Sequence, residues 1–180
     1  MKKIAAYFMI LSALTLFACA DGKLFSFYVN DSTTVTVNGS IAPVDVPVDI
    51  ATPDITTSSE SEFEDNGTSV NLVKEIVLKE LVLTITSPDG EDFSFLKNIH
   101  IYISTDEDDS DDETEIAWLD DISSDATSIS LNVAGDDVPL DKYVKQDSYS
   151  IRTEVTTRET LNHDVDIQID MKFRVTADPL

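Results

Sequence analysis

Apolar and polar residues alternate along much of this chain with a period of two. From Asp164 to Ala177, Val165, Ile167, Ile169, Met171, Phe173 and Val175 fall on one side, and Asp164, Asp166, Gln168, Asp170, Lys172, Arg174 and Thr176 on the other. The run holds no Gly or Pro. It predicts a long strand with one buried and one wet face, as antiparallel sheets allow. Tyr149 to Glu159 alternates in the same way, and a connection near Leu161-Asn162-His163 predicts a C-terminal hairpin. Ile99, Ile101 and Ile103 mark a third strand, with His100 and Tyr102 on its other side. Leu81, Leu83 and Ile85 mark a fourth, ended by the turn Pro88-Asp89-Gly90.

Shorter strands are expected at Glu115 to Leu119 and Ser128 to Val133, and two more at Phe25 to Val29 and Thr33 to Asn38. Ile41 to Ile50 also alternates but contains Pro43 and Pro47. Proline cannot donate to a ladder, so this segment is expected at a sheet edge or as an extended strap.

Two helical pieces interrupt the pattern. Leu72, Val73, Ile76 and Val77 stand at helical spacing after Ser69, a potential cap, and Pro139 to Lys145 fits a single turn with Pro139 first. Thr56 to Asn66 is polar and acidic and reads as a surface loop that Phe63 anchors. Many short strands with one or two short helices predict a mainly β fold, an antiparallel β-sandwich of immunoglobulin-like or related type.

Composition narrows the function classes. The chain has 180 residues and 42% hydrophobic residues, enough for one packed domain. It carries 35 Asp+Glu against 12 Lys+Arg, a formal net charge of −23. Nucleic-acid partners are not expected, because phosphate binding needs clustered Lys and Arg. The single Cys excludes an intramolecular disulfide framework and Cys-rich zinc sites.

That Cys has a telling position. Met1-Lys2-Lys3 is basic, and Ile4 to Ala18 follows without a charge. As a helix this stretch would extend about 22 Å, short of a hydrocarbon core of about 30 Å, so it reads as a secretory segment and not a membrane span. Leu16-Phe17-Ala18-Cys19 comes next. It resembles the bacterial lipobox, with an apolar residue at −3 and a small one at −1, although Phe17 is bulkier than the residue usual at −2. The resemblance implies cleavage before Cys19 and acylation of its thiol and new amino group. An ordinary signal peptide cut near Ala18 to Ala20 is the plainer alternative.

Ala20 after the Cys, by likeness to Gram-negative lipoproteins, implies the outer membrane, with the periplasmic or surface face left open. The expected division is a signal peptide over 1–18, a short tether over 19–24 and a single sandwich over 25–180. The chain as a whole loosely resembles small lipoproteins of Bacteroidota-type bacteria, through the lipobox, the chain size and the segments SFLKNIHIYIST and LDKYVKQDSY. No activity comes with that likeness.

Other candidate chemistry is sparse. The run Asp106 to Glu115 offers Asp106, Asp108 and Asp112 as calcium ligands. The EF-hand pattern fails, since Asp111 takes the glycine place and Ala117 the glutamate place. The run reads first as a solvated hairpin tip whose like charges deter edge pairing. His100 and His163 have no His or Cys partner at ligand spacing. No nucleophile elbow, P-loop or dinucleotide fingerprint occurs. Trp118 and Tyr102, with Tyr28, are candidates for stacking on sugar rings, but Trp118 shares its parity with Ile116 and is expected in the core.

No cofactor and no enzymatic activity are expected. The function expected first is a lipid-anchored structural or protein-interaction module of the cell envelope. A glycan- or ligand-binding surface lipoprotein is second, and a hydrolase using a carboxylate pair is a distant third.

Overall fold

The alternating runs become the strands of two facing sheets. The computed structural model describes residues 24–39, 44–52, 54–57, 59–105, 112–123 and 125–180. The strands are β1 (Phe25–Val37), β2 (Val44–Ala51), β3 (Ile55–Thr56), β4 (Val73–Ser87), β5 (Leu96–Ser104), β6 (Thr114–Leu119), β7 (Ser128–Ser130), β8 (Asn132–Val133), β9 (Ser148–Thr157) and β10 (Val165–Ala177). The helices are α1 (Ser59–Asp65) and α2 (Asp141–Val144).

One sheet runs β1-β10-β4-β7 and the other β2-β9-β5-β6-β8, with β3 also paired to β9. All of these pairs are antiparallel. The expected sandwich is therefore present. Its first and last long strands, β1 and β10, are neighbours, and β1-β10-β4-β7 facing β2-β9-β5-β6 is the jelly-roll order.

The core is what the period-two pattern implies. Val165, Ile167, Ile169, Met171, Phe173, Val175 and Ala177 of β10 are buried against Ile99, Ile101 and Ile103 of β5 and Ile151 and Val155 of β9. Each of these side chains larger than alanine contributes about 1.5–3 kcal/mol when fully buried.

The fold departs from the sequence expectations at five places. β9 and β10 do not form a hairpin, because they lie in different sheets. The link crosses between the sheets and buries Leu161 in the core. A hairpin and a facing pair present the same alternation, so periodicity alone does not separate them.

The helix expected after Ser69 is only a 3-10 turn over Val70–Leu72, and β4 begins at Val73. Pairing with β10 slips between Lys172 and Phe173 and again between Thr176 and Ala177. These irregularities switch the inward parity of β4, which mimics helical spacing. The two strands expected at the N-terminal side are one, β1, which runs unbroken through Asn30, Asp31 and Ser32. The expected loop over Thr56–Asn66 contains β3 and α1, and Phe63 of α1 is fully buried, edge-on to Phe27 at 6.2 Å. Ser128 to Val133 divides into β7 in one sheet and β8 in the other.

β2 lies at a sheet edge, as Pro47 requires, and its pairing with β9 is irregular between Val44 and Val48. The Asn38-Gly39 turn after β1 is pinned by Asp164, whose Oδ1 accepts from Gly39 N at 2.7 Å. A Cβ at Gly39 would lie 2.7 Å from the His163 backbone, so this close approach requires glycine.

Candidate functional site

The outward face of the six-stranded sheet gathers three of the singled-out residues, His100, Tyr102 and Trp118. β5 turns Ile99, Ile101 and Ile103 inward, which leaves His100 and Tyr102 on the outside. β9 does the same with Arg152 and Glu154, paired to Tyr102 and His100 respectively.

β6 joins them through an irregularity. Ala117 pairs with Ile101 but Glu115 pairs with Tyr102, so Ile116 is an extra residue. Ile116 and Ala117 are both fully buried, and the parity then switches. Trp118 is carried to the outside, opposite His100 on one strand and Asn132 on the other, and is only half-buried. The expectation of a core tryptophan is overturned by this bulge.

Two charge clusters occupy the face. The Arg152 guanidinium donates to both carboxylate oxygens of Glu113 at 2.8 Å, to Asp49 at 2.6 Å and to Glu154 at 3.2 Å. It also lies over the Tyr102 ring, 4.2 Å from the centroid. Hydrogen bonding to Glu113 leads the causes that raise its pKa above the ordinary value, so it is a fixed cation. Tyr102 is thus covered by Arg152 and does not present a bare ring.

His100 sits between two acids. Its Nδ1 is 2.6 Å from Glu115 and its Nε2 is 3.2 Å from Asp120. Burial disfavours the charged ring, but the hydrogen bonds and charges of Glu115 and Asp120 together outweigh it and raise the pKa. Each nitrogen has its own carboxylate, which suits an imidazolium and leaves no lone pair for a metal.

The remaining candidates lie elsewhere. Tyr28 is on the outer face of the opposite sheet, 54% exposed, with Lys172 Nζ 4.9 Å from its ring centre. It shares no platform with Trp118. Asp112 is tied into its own hairpin, accepting from Thr105 N at 3.2 Å and Thr105 Oγ1 at 2.8 Å, with Lys142 at 3.6 Å. Slight burial acts against its charge, but the bonds from Thr105 prevail and lower its pKa. Asp106, Asp108 and Cys19 lie outside the described residues. Among the described residues no group of three or more His, Cys, Asp or Glu is placed to hold a metal ion. His163 is exposed and paired with Glu91 at 3.0 Å.

One buried polar pair carries no sequence signal. Asp31 of β1 points inward, 8% exposed, and accepts from the Tyr149 hydroxyl of β9 at 3.2 Å. Burial raises the Asp31 pKa and pushes that of Tyr149 well up. A carboxylate in the middle of a strand reads as a break, and only the facing sheet supplies its donor.

Between the sheets lies an apolar void of about 20 Å³, lined by Val35, Ile50, Leu83, Ile99, Val155 and Ile167 among others. It has room for about one water and is far too small for an organic ligand.

No protein-family model matches the chain, and no curated protein matches it. Among solved structures, the chain is similar to one titled Desmodium yellow mottle tymovirus at 10% identity, covering 100% of this chain and 97% of that one, with a TM-score of 0.31.

Proposed function

We propose that this chain is a lipid-anchored, extracytoplasmic structural or protein-interaction module of the bacterial cell envelope, with the lipid on Cys19. The observation that carries the reading is the lone Cys of the chain, standing directly after fifteen uncharged residues in a Leu16-Phe17-Ala18-Cys19 context. Phe25, the first residue of β1, is six positions further on, about 20 Å of extended chain at most. A body on so short a tether rides close to the bilayer.

The charge gives the lipid a physical task. Removing Lys2 and Lys3 with the leader leaves 10 basic residues against 35 acidic ones. Anionic headgroups repel such a domain. One acyl chain holds a membrane only marginally, at about 0.8 kcal/mol per buried CH₂, whereas two or more hold it stably. A triacylated Cys19 supplies that anchorage.

The test is Cys19→Ser in the native host. Labelled palmitate incorporation should vanish and the protein should leave the membrane fraction. Continued membrane retention without label would refute the lipid anchor.

Trp118 supports a second reading, glycan binding on the outer face of the six-stranded sheet. It is the single tryptophan of the chain, partly accessible beside His100 and Asn132. Sugar rings stack on such a surface while amides and carboxylates bond their hydroxyls. Fluorescence of this one indole during titration with envelope oligosaccharides reads the contact directly. An unchanged spectrum across the series excludes stacking there.

A further inference from the structure

We infer that the free edge of β1 is a self-association surface, where a second copy of this chain adds its own β1 in antiparallel fashion to make one continuous sheet. An edge strand exposes unpaired N–H and C=O groups, and proteins normally blunt it with shortness, proline, bulges or charge. Three edges of this sandwich are blunted so. β2 has Pro47 and an irregular ladder, β7 has three residues and β8 has two.

β1 is the exception. It has 13 residues, no proline and no lysine, and its ladder to β10 runs from Phe25↔Ala177 to Val37↔Val165 without a shift. Among the described residues no strand pairs with its other side.

The charge pattern favours a like strand as occupant. In a chain with 35 acids, the solvent side of β1 is Ser26, Tyr28, Asn30, Ser32, Thr34 and Thr36, all exposed and uncharged. Its one acid, Asp31, is turned inward and held by Tyr149. The nearest acids are Asp166 and Asp170 of β10, to which Thr36 and Ser32 donate at 2.7 and 2.8 Å, and Glu62 of α1, whose charge acts on the buried Asp31. In a β1–β1 pair the two β10 strands are three strand spacings apart, about 14 Å. That exceeds the screening length of about 8 Å at physiological salt.

Asp31 also selects the register. Side chains must keep their faces, so only even shifts are allowed. A two-fold axis at Asp31 would oppose two buried carboxylates, and most other allowed shifts set Asp31 against Val29, Val35 or another apolar residue. An axis at Ser32 instead places Asp31 opposite the second copy's Thr33. The same axis pairs Val29 with Val35, Phe27 with Val37, Tyr28 with Thr36 and Asn30 with Thr34. Apolar meets apolar inside and hydroxyl or amide meets hydroxyl outside, the pairings that stabilise a sheet. The inference needs no lipid and stands apart from the anchoring of Cys19.

The test uses the full chain with Cys19→Ser in mild detergent, so that an introduced cysteine is the only thiol. Directly opposed residues in an antiparallel pair have Cα atoms within disulfide range. Ser32→Cys should oxidise to a linked dimer. Asn30→Cys or Thr34→Cys alone should form no disulfide-linked dimer, and an equal mixture of the two should cross-link. Sedimentation of the unsubstituted β1 should show dimer, strengthened by added salt, and Ser32→Lys should return it to monomer with an unchanged circular dichroism spectrum. A monomer at every salt concentration overturns the inference. So does a dimer that Ser32→Cys does not link, since the contact then lies elsewhere. Cross-linking of Ser32→Cys, with Cys19 retained, to a different protein in native membranes would assign the edge to that partner and overturn it too.

Discussion

The Tyr149 hydroxyl donates to Asp31 Oδ2 at 3.2 Å inside the sandwich and so ties β9 of one sheet to β1 of the other. Both groups are buried, and both would be costly without the other.

Tyr149→Phe removes the donor and leaves the Asp31 carboxylate unpaired. A loss of about 1–3 kcal/mol is expected at neutral pH, read by urea unfolding. Asp31 holds its proton to a higher pH in the folded chain than its ordinary 3.8, because of burial. The unfolded chain therefore releases the proton first, and stability falls as pH rises from 3.8 through the raised folded value. Asp31→Asn removes this dependence, so its stability relative to the parent should climb through that window and level off above it. A difference that stays constant with pH would place Asp31 in solvent.

His100 should give the opposite kind of profile to a surface carboxylate. Its folded pKa is raised above 6.5 by Glu115 and Asp120, against the effect of burial, and Glu154 faces it from β9. The stabilisation is complete below pH 6.5 and is lost as pH rises through the folded value. His100→Gln should flatten that decline in a set of melting curves from pH 5 to pH 9. An unaltered slope would show that the ring does not titrate against these acids.

Gly39→Ala should destabilise although nothing is wrong with its backbone angles. The added carbon meets main-chain atoms of His163 at 2.7 Å, and main chain cannot rotate away. A cost of about 1–3 kcal/mol is expected, the usual range for overpacking. Thermal unfolding at the parent temperature would contradict the close approach of the two turns.

Arg152→Lys keeps the charge and loses the fork. The two bonds to Glu113 and the cover over Tyr102 cannot be reproduced by a single ammonium. Because the side chain is 34% exposed, the cost should be no more than about 1 kcal/mol. Tyr102 should become more accessible, which quenching of tyrosine fluorescence would register.

The sheets were legible wherever one face is buried without interruption. β10 and β5 follow their alternation residue by residue, and the Ile99 and Ile116 strands pair as a hairpin around the acidic run. Legibility failed where a single extra residue changes parity. Ile116 turned Trp118 outward, and the irregular ladder of β4 imitated a helix. It failed again where a local break is repaired from afar, as Asp31 is by Tyr149, which lies 118 positions away. Of the outer-face cluster, the residues of β5 and β9 could be placed by alternation. Their ion-pair partners Asp49, Glu113 and Asp120 could not, since long-range pairing brings them in.

The jelly-roll order also governs when this molecule can fold. β10 is the inner neighbour of both β1 and β4, yet residues 165–177 follow every other strand in the chain. During synthesis, at about 5–20 residues per second, β1 waits for β10 until the nine strands before it have been made. Such distant pairings close slowly.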